Sequence, residues 1–187
     1  MPSDTPRPLP DLPSDQRIVA DLRTDHAGET GAVWIYKGIL AVSKDGDVRL
    51  FAKEHMATEQ KHLALIEGIL PPGQRSKLVS VWKLAGFLTG ALPALFGPRA
   101  VFKTIEAVET FVDHHYQEQI EYLDQKLEAE PTLGDLKQVL VDCQADEVAH
   151  RDDAAGRDPT PAGPLMSVWT RLVGAGSKGA VSIARFV

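Results

Sequence analysis

The chain has 187 residues, one cysteine, and 20 lysines and arginines against 26 aspartates and glutamates, for a formal charge of −6. A chain of this length suits one domain with its own core, and the acidic balance argues against a groove that tracks nucleic-acid phosphates. Cys143, being alone, excludes an intrachain disulfide and a cysteine-ligated zinc or iron–sulfur centre, and fits a reducing compartment.

Residues 1–15 hold five of the 13 prolines with Asp4, Asp11 and Asp15 and no apolar run, so they read as a disordered proline-stiffened arm and not as a secretory signal or transit peptide. From residue 16 onward the pattern is helical. Long helices are predicted over about 15–41, 48–69, 100–129 and 133–155, and shorter ones over 76–95 and 165–185. Turn chemistry separates them at Ser43-Lys44-Asp45-Gly46, Leu70-Pro71-Pro72-Gly73, Glu130 to Gly134 and Gly156 to Pro164. No strand-like alternation of useful length interrupts the series. The expected fold is all-α: an antiparallel four-helix bundle in one domain, residues 16–187, with an apolar crossover helix and a C-terminal helix.

Charged residues fall where a core is expected. In the first helix Leu22, His26, Glu29, Val33, Tyr36 and Leu40 share one stripe, and in the 100–129 helix Phe102, Ile105, Glu109, Val112, Tyr116 and Ile120 do. The second long helix places Phe51, His55, Glu59, His62 and Ile66 on one face. The 133–155 helix does the same with Leu136, Leu140, Cys143, Glu147 and His150. Four buried glutamates would each cost several kcal/mol if left charged and unpaired. Two divalent cations would neutralise them. A single Glu from each of two helices and a Glu-x-x-His from each of the other two is the ligand pattern of ferritin-like di-iron and di-manganese carboxylate bundles. The chain supplies it in order as Glu29, Glu59 with His62, Glu109, and Glu147 with His150.

Ligands on paired antiparallel helices must lie at one depth. Glu29 is 16 residues before the Asp45 turn and Glu59 is 14 after it, a difference of about 3 Å. Glu109 is 22 residues before Pro131 and Glu147 is 16 after it, leaving about 9 Å for an asymmetric loop or a π-bulge to absorb. Carboxylates with two imidazoles favour iron, with manganese second. Asp113, Asp142 and Asp146 are the nearest acceptors for the far ring nitrogens. His26 and His55 read as core or supporting histidines and His114 as a surface residue. Cys143 reads as a small core residue. Gly28 and Gly31 inside the first helix suggest a close approach of backbone or substrate.

The segment Arg23-Thr-Asp-His-Ala-Gly-Glu29-Thr-Gly-Ala32, followed by Ile35-Tyr36, resembles the first motif of the demethoxyubiquinone hydroxylases, the di-iron monooxygenases of ubiquinone biosynthesis. Glu59-Gln-Lys-His62-Leu resembles the second, Val108-Glu109 through His115-Tyr116 the third, and Asp146-Glu147-Val-Ala-His150-Arg-Asp152 the fourth. The likeness runs from about residue 18 to the C-terminus. Thr110 stands where the family usually has a second acid, and Ala149 where it often has one, and neither change removes a ligand. The resemblance implies two iron ions, O₂ as co-substrate, and hydroxylation of the ring of a 2-polyprenyl-3-methyl-6-methoxy-1,4-benzoquinone or its quinol. It also implies that His115 and Tyr116 deliver electrons and protons. NADH is the expected electron source, and with no dinucleotide fingerprint in the chain it would act without a Rossmann domain.

A polyprenyl substrate calls for an apolar route from a bilayer. Residues 84–98 carry no charge and are flanked by Lys77, Lys83, Arg99 and Lys103, too short to span and suited to an interfacial helix. The C-terminal helix, with Trp169, Leu172 and Ile183 against Arg171, Lys178 and Arg185, is a second candidate. A peripheral location on the cytoplasmic side of the inner (cell) membrane is expected, with a homo-oligomer or a lipid-presenting protein as partner and no nucleic acid. The competing readings are iron storage or peroxide detoxification on the same ligands, and a non-enzymatic helical membrane adaptor.

Overall fold

The computed structural model describes residues 9–187. The helices are α1 (Gln16–Val42), α2 (Gly46–Ile69), α3 (Val79–Ala94), α4 (Pro98–Lys126), α5 (Leu133–Arg157) and α6 (Pro164–Ala184), with a 3₁₀ turn at Pro72–Gln74 and no strand among the described residues. Their starts follow local chemistry. The Asp15 carboxylate caps α1 by accepting from the amides of Arg17 and Ile18 at 2.8 and 3.4 Å, and Asp45 caps α2 by accepting from Val48 at 3.0 Å. Gly97, at φ 96°, makes the reversal into α4, whose first residue is Pro98.

The expected proline-rich arm falls partly outside the described residues, which begin at Leu9. From there to Asp15 the chain lies on the bundle: Leu12 packs against the core, and Asp15 accepts from Tyr122 at 2.9 Å and pairs with Lys126 at 3.2 Å.

α1 packs on α2 and α4 on α5, and contacts α1–α4 and α2–α5 close the ring of four. Cross-helix contacts fix the directions. On α1 and α4, Tyr36 meets Glu109 while Tyr116 meets Glu29, so residue numbers rise along one helix as they fall along the other. Along the bundle axis there are two apolar layers with a polar layer between them. One layer contains Leu22, Ile66, Ile120, Leu136 and Cys143, and the other Ile39, Phe51, Ile105 and Ala154. Glu29, Glu59, Glu109 and Glu147 sit between them on their four helices, 4 % exposed or less. Apolar layers on both sides keep water from reaching those carboxylates along the axis.

α3 and α6 do not belong to the ring. Both lie against α1 and α4, over the seam between those helices. The approach of α3 to α1 is set by glycine: a Cβ at Gly86 would collide with the Gly31 carbonyl oxygen, and one at Gly90 with that of Ile35. The close approach expected at Gly31 is present in its backbone, against which Gly86 packs. The glycines required are chiefly on α3, and a Cβ at Gly28 or Gly31 would meet nothing within 4 Å.

The depth mismatch in the second pair is halved. α4 ends at Lys126 and not at residue 129, and six loop residues follow before Leu133. Counted to the helix ends, Glu109 is 17 residues from Lys126 and Glu147 is 14 from Leu133, which leaves about 4.5 Å. No π-helical residue occurs in either helix.

Candidate metal centre

All six residues picked out as ligands meet in the polar layer. One atom from each of Glu29, Glu59, His62 and Glu147 falls within a 4.8 Å cluster, and so does one from each of Glu59, Glu109, Glu147 and His150. Glu59 and Glu147 belong to both groups. The arrangement is two adjacent positions, each with one terminal glutamate and one histidine, sharing two glutamates between them.

His62 Nδ1 lies 3.0 Å from Glu147 Oε1 and 3.7 Å from Glu29 Oε2 and from Glu59 Oε2. His150 Nδ1 lies 3.0 Å from Glu59 Oε1 and 3.5 Å from Glu147 Oε2, yet without the alignment of a hydrogen bond. Glu29 Oε2, both Glu59 oxygens and Glu147 Oε2 are buried with no hydrogen-bond partner. Carboxylate lone pairs and imidazole nitrogens converging on two points, several of the lone pairs without a donor, are what two cations would satisfy, and oxygen with imidazole nitrogen is a donor set for iron or manganese. The residues present fit such a pair. The one nearby sulfur is not a competing ligand, because burial pushes the Cys143 thiol well up and keeps it neutral.

In the metal-free protein the charges are balanced by protons. Burial, then the charges of Glu147 and Glu59, hold Glu29 and Glu109 well above the carboxylate range. Burial also acts on Glu59, but the protonated rings of His150 and His62 beside it override that and bring its value down to about 2. Burial would lower both histidines, and Glu147 and Glu59 outweigh it, raising His150 to about 9 and His62 further still.

Of the three aspartates expected behind the histidines, Asp146 fills the role, 3.0 Å from His62 Nε2. Asp113 instead accepts from Arg151 at 2.6 Å and from Gln144 at 2.9 Å, and Asp142 from Gln138 at 2.8 Å. Asp142 is exposed and Asp113 half-buried. His55 is a supporting residue: it stacks on His150 at 4.1 Å between ring centroids and bonds Asp153 at 3.1 Å. Burial, then His150, pushes it down to about 4, so the ring is neutral. His26 faces Glu67 at 3.3 Å, away from the centre, and His114 is exposed.

Tyr116 donates to Glu29 Oε1 at 2.5 Å and His115 turns to α1, 2.8 Å from Thr24 Oγ1. Sequence reasoning did not assign Tyr36, whose hydroxyl donates to Glu109 Oε1 at 3.2 Å. The signal was present: Tyr36 is seven residues past Glu29 as Tyr116 is past Glu109, and in an antiparallel pair that spacing exchanges partners. Thr24, Asp25 and Gln119 were also unassigned.

A cavity of about 320 Å³ reaches Glu29, Glu59, Glu109 and Glu147 from the side covered by α3 and α6. Gly28, Gly31, Ala32, Gly86, Gly176 and Ala180 make room in its walls, and Trp82, Trp169, Val173 and Phe111 line it. Outside it, Leu84, Leu88, Leu92, Leu95 and Phe96 of the α3 region and Leu165, Val168, Ile183 and Phe186 of the α6 region are exposed. No described helix is long and apolar enough to cross a membrane.

Residues 16–184, the whole bundle with both covering helices, match the family described as Ubiquinone biosynthesis protein COQ7. The chain belongs to this family. COQ7-family relatives include a 3-demethoxyubiquinol 3-hydroxylase of Rhodospirillum rubrum, 33% identical over 96% of this chain and 83% of the relative. Two others are named NADPH-dependent 3-demethoxyubiquinone 3-hydroxylase, mitochondrial. That of Dictyostelium discoideum is 32% identical over 89% of this chain and 76% of its own length, and that of Rattus norvegicus 32% over 87% and 75%. The COQ7 membership makes this chain an enzyme of the monooxygenase type, which removes the non-enzymatic adaptor from consideration.

Proposed function

We propose that this enzyme uses two iron ions, held by Glu29, Glu59, His62, Glu109, Glu147 and His150, and O₂ to hydroxylate the ring of a 2-polyprenyl-3-methyl-6-methoxy-1,4-benzoquinol or its quinone. The observation that carries the reading is the cavity: an apolar passage ending on four buried carboxylates, three of them with orphaned oxygens. When bound, the metal pair supplies oxygen activation, chemistry for which no protein side chain substitutes. The chain's own residues do the rest. The apolar layers above and below the ligands exclude water, the small-residue walls admit a substituted ring, and Tyr36 and Tyr116 orient the terminal glutamates. His115 and Tyr116 handle protons and electrons beside the cavity, and a reduced pyridine nucleotide, NADH or the NADPH of the relatives' names, supplies two electrons.

The exposed apolar faces of α3 and α6, with Lys77, Lys83, Arg99, Arg171 and Lys178 near them, rest on the cytoplasmic side of the cell membrane, which brings the cavity to the lipid that carries the substrate. A shell-forming storage protein has no use for such a face. Anaerobic incubation of the iron-loaded protein with the methoxyquinol, then O₂ and a reductant, is expected to add one oxygen atom to the quinol by mass spectrometry. Iron oxidation without that gain would favour storage. Sedimentation with anionic vesicles is expected, and its loss in Leu88→Asp/Phe96→Asp would locate the contact.

A further inference from the structure

A second buried polar cluster lies on the α1 side of the cavity, apart from the ligands. His115 Nε2 is 2.8 Å from Thr24 Oγ1 and 3.5 Å from Asp25 Oδ1. The Thr24 hydroxyl donates its only proton to the Asp21 carbonyl at 2.6 Å, so towards His115 that oxygen can only accept. Nε2 therefore carries a proton, and in the neutral ring Nδ1 holds the lone pair. Asp25, 4 % exposed, is pinned by Gln119, whose amide donates to Oδ1 at 2.6 Å, and its Oδ2 is buried without a partner. Phe111 stacks on the ring's other side, 6.1 Å away and 10° from parallel. His115 Nδ1 makes no hydrogen bond to a described residue, and it is not one of the buried orphan nitrogens, as those of His26, His55 and His150 are. The ring lines the cavity. The remaining charges nearby are Asp21 on α1 and the Arg185 that pairs with it at 2.6 Å, and no other ion pair to the ring forms among the described residues.

We propose that Thr24, Asp25 and Gln119 are positioning residues that lock His115 as its Nε2–H tautomer, so that Nδ1 takes the proton of a quinol hydroxyl seated in the cavity. This rests on the quinol reading above. The O–H bond breaks, a bond from its proton to Nδ1 forms, and the electron pair stays on the ring oxygen, making the quinol more electron-rich for oxygen insertion. The imidazolium so formed faces the Asp25 carboxylate, and it returns its proton to the product or to water. An imidazole held in one tautomer by a buried acid on its far nitrogen is an arrangement suited to general-base work.

The test is nitrogen NMR of the full-length, ¹⁵N-histidine-labelled, metal-free protein, with His115→Gln identifying the signals. The parent is expected to show a protonated Nε2 and an unprotonated Nδ1. Thr24→Val/Asp25→Asn is expected to give mixed tautomers, and Thr24→Ser to keep the parent pattern. In turnover the double variant should lose about ten- to a hundredfold in kcat with KM held within about twofold. Should the double variant fail to reach parent helicity, Thr24→Val against Thr24→Ser carries the comparison. A parent ring protonated on Nδ1 alone, or a tautomer unmoved by the substitutions, overturns the proposal. The spectrum is read without turnover. A tautomer response as expected in a protein that inserts no oxygen would count against the quinol reading and leave the lock standing.

Discussion

Loading the metal-free protein with a divalent cation will expel protons, and the structure sets how many. Glu29 and Glu109 are kept as neutral acids by burial and by their carboxylate neighbours. His62 and His150 are kept as imidazoliums because Glu147 and Glu59 outweigh burial, His150 holding its proton to about 9. All four must lose a proton to become ligands, so filling both positions at pH 7 releases about four. Each displaced proton makes apparent affinity change about tenfold per pH unit, and affinity for the pair should rise by about four decades per unit near neutrality, the slope easing by about one decade above the value of His150 while His62 still holds its proton. The direction is fixed: the groups are protonated without metal and deprotonated with it, so acid weakens binding. Isothermal titration of Mn²⁺ in buffers of differing ionisation enthalpy counts the protons directly. One proton or none per pair would refute the reasoning, since the carboxylates would then be ionised and hydrated before metal arrives. The same groups govern metal-free stability. Their folded values lie above their unfolded ones, so the stability they lend is complete in acid and is lost as pH rises through those folded values. The melting temperature of the metal-free protein should fall between about pH 5 and about pH 9, and saturating Mn²⁺ should flatten that slope.

Glu109→Gln should lower oxygen insertion more than about a hundredfold with helicity intact. Above pH 7 its metal-free form should melt no lower than the parent, because the amide removes a carboxyl whose charge is opposed by burial, Glu147 and Glu59. Asp146→Asn should weaken cation affinity by about tenfold, the low end for an orienting carboxylate because this one is 56 % exposed, as read by competition with a fluorescent chelator. Gly90→Ala should cost about 1–3 kcal/mol in denaturant unfolding, because its methyl would strike the Ile35 carbonyl. Gly28→Ala meets open space and should stabilise by about 1 kcal/mol, and any loss of turnover it causes would come from the narrower cavity.

The sequence by itself determined what depends on the helical period and on counting residues. That was enough for the six helices to within a few residues, for the face each glutamate occupies, and for the equal depth of Glu29 and Glu59. The reason is that 3.6 residues per turn and about 1.5 Å per residue hold within any one helix, whatever surrounds it. Tertiary structure decided what depends on how one helix is rotated and raised against another. It made Glu59 and Glu147 the shared pair, exchanged Tyr36 and Tyr116 between α1 and α4, and chose Asp146 over Asp113 and Asp142 to back His62. It also laid α3 and α6 over the α1–α4 seam and so made the cavity. Those choices rest on side-chain volume at the crossings, above all the glycines that let α3 close on α1, and on loop lengths such as the six residues between α4 and α5 that halve the depth mismatch of Glu109 and Glu147. Neither quantity leaves a periodic trace along the chain.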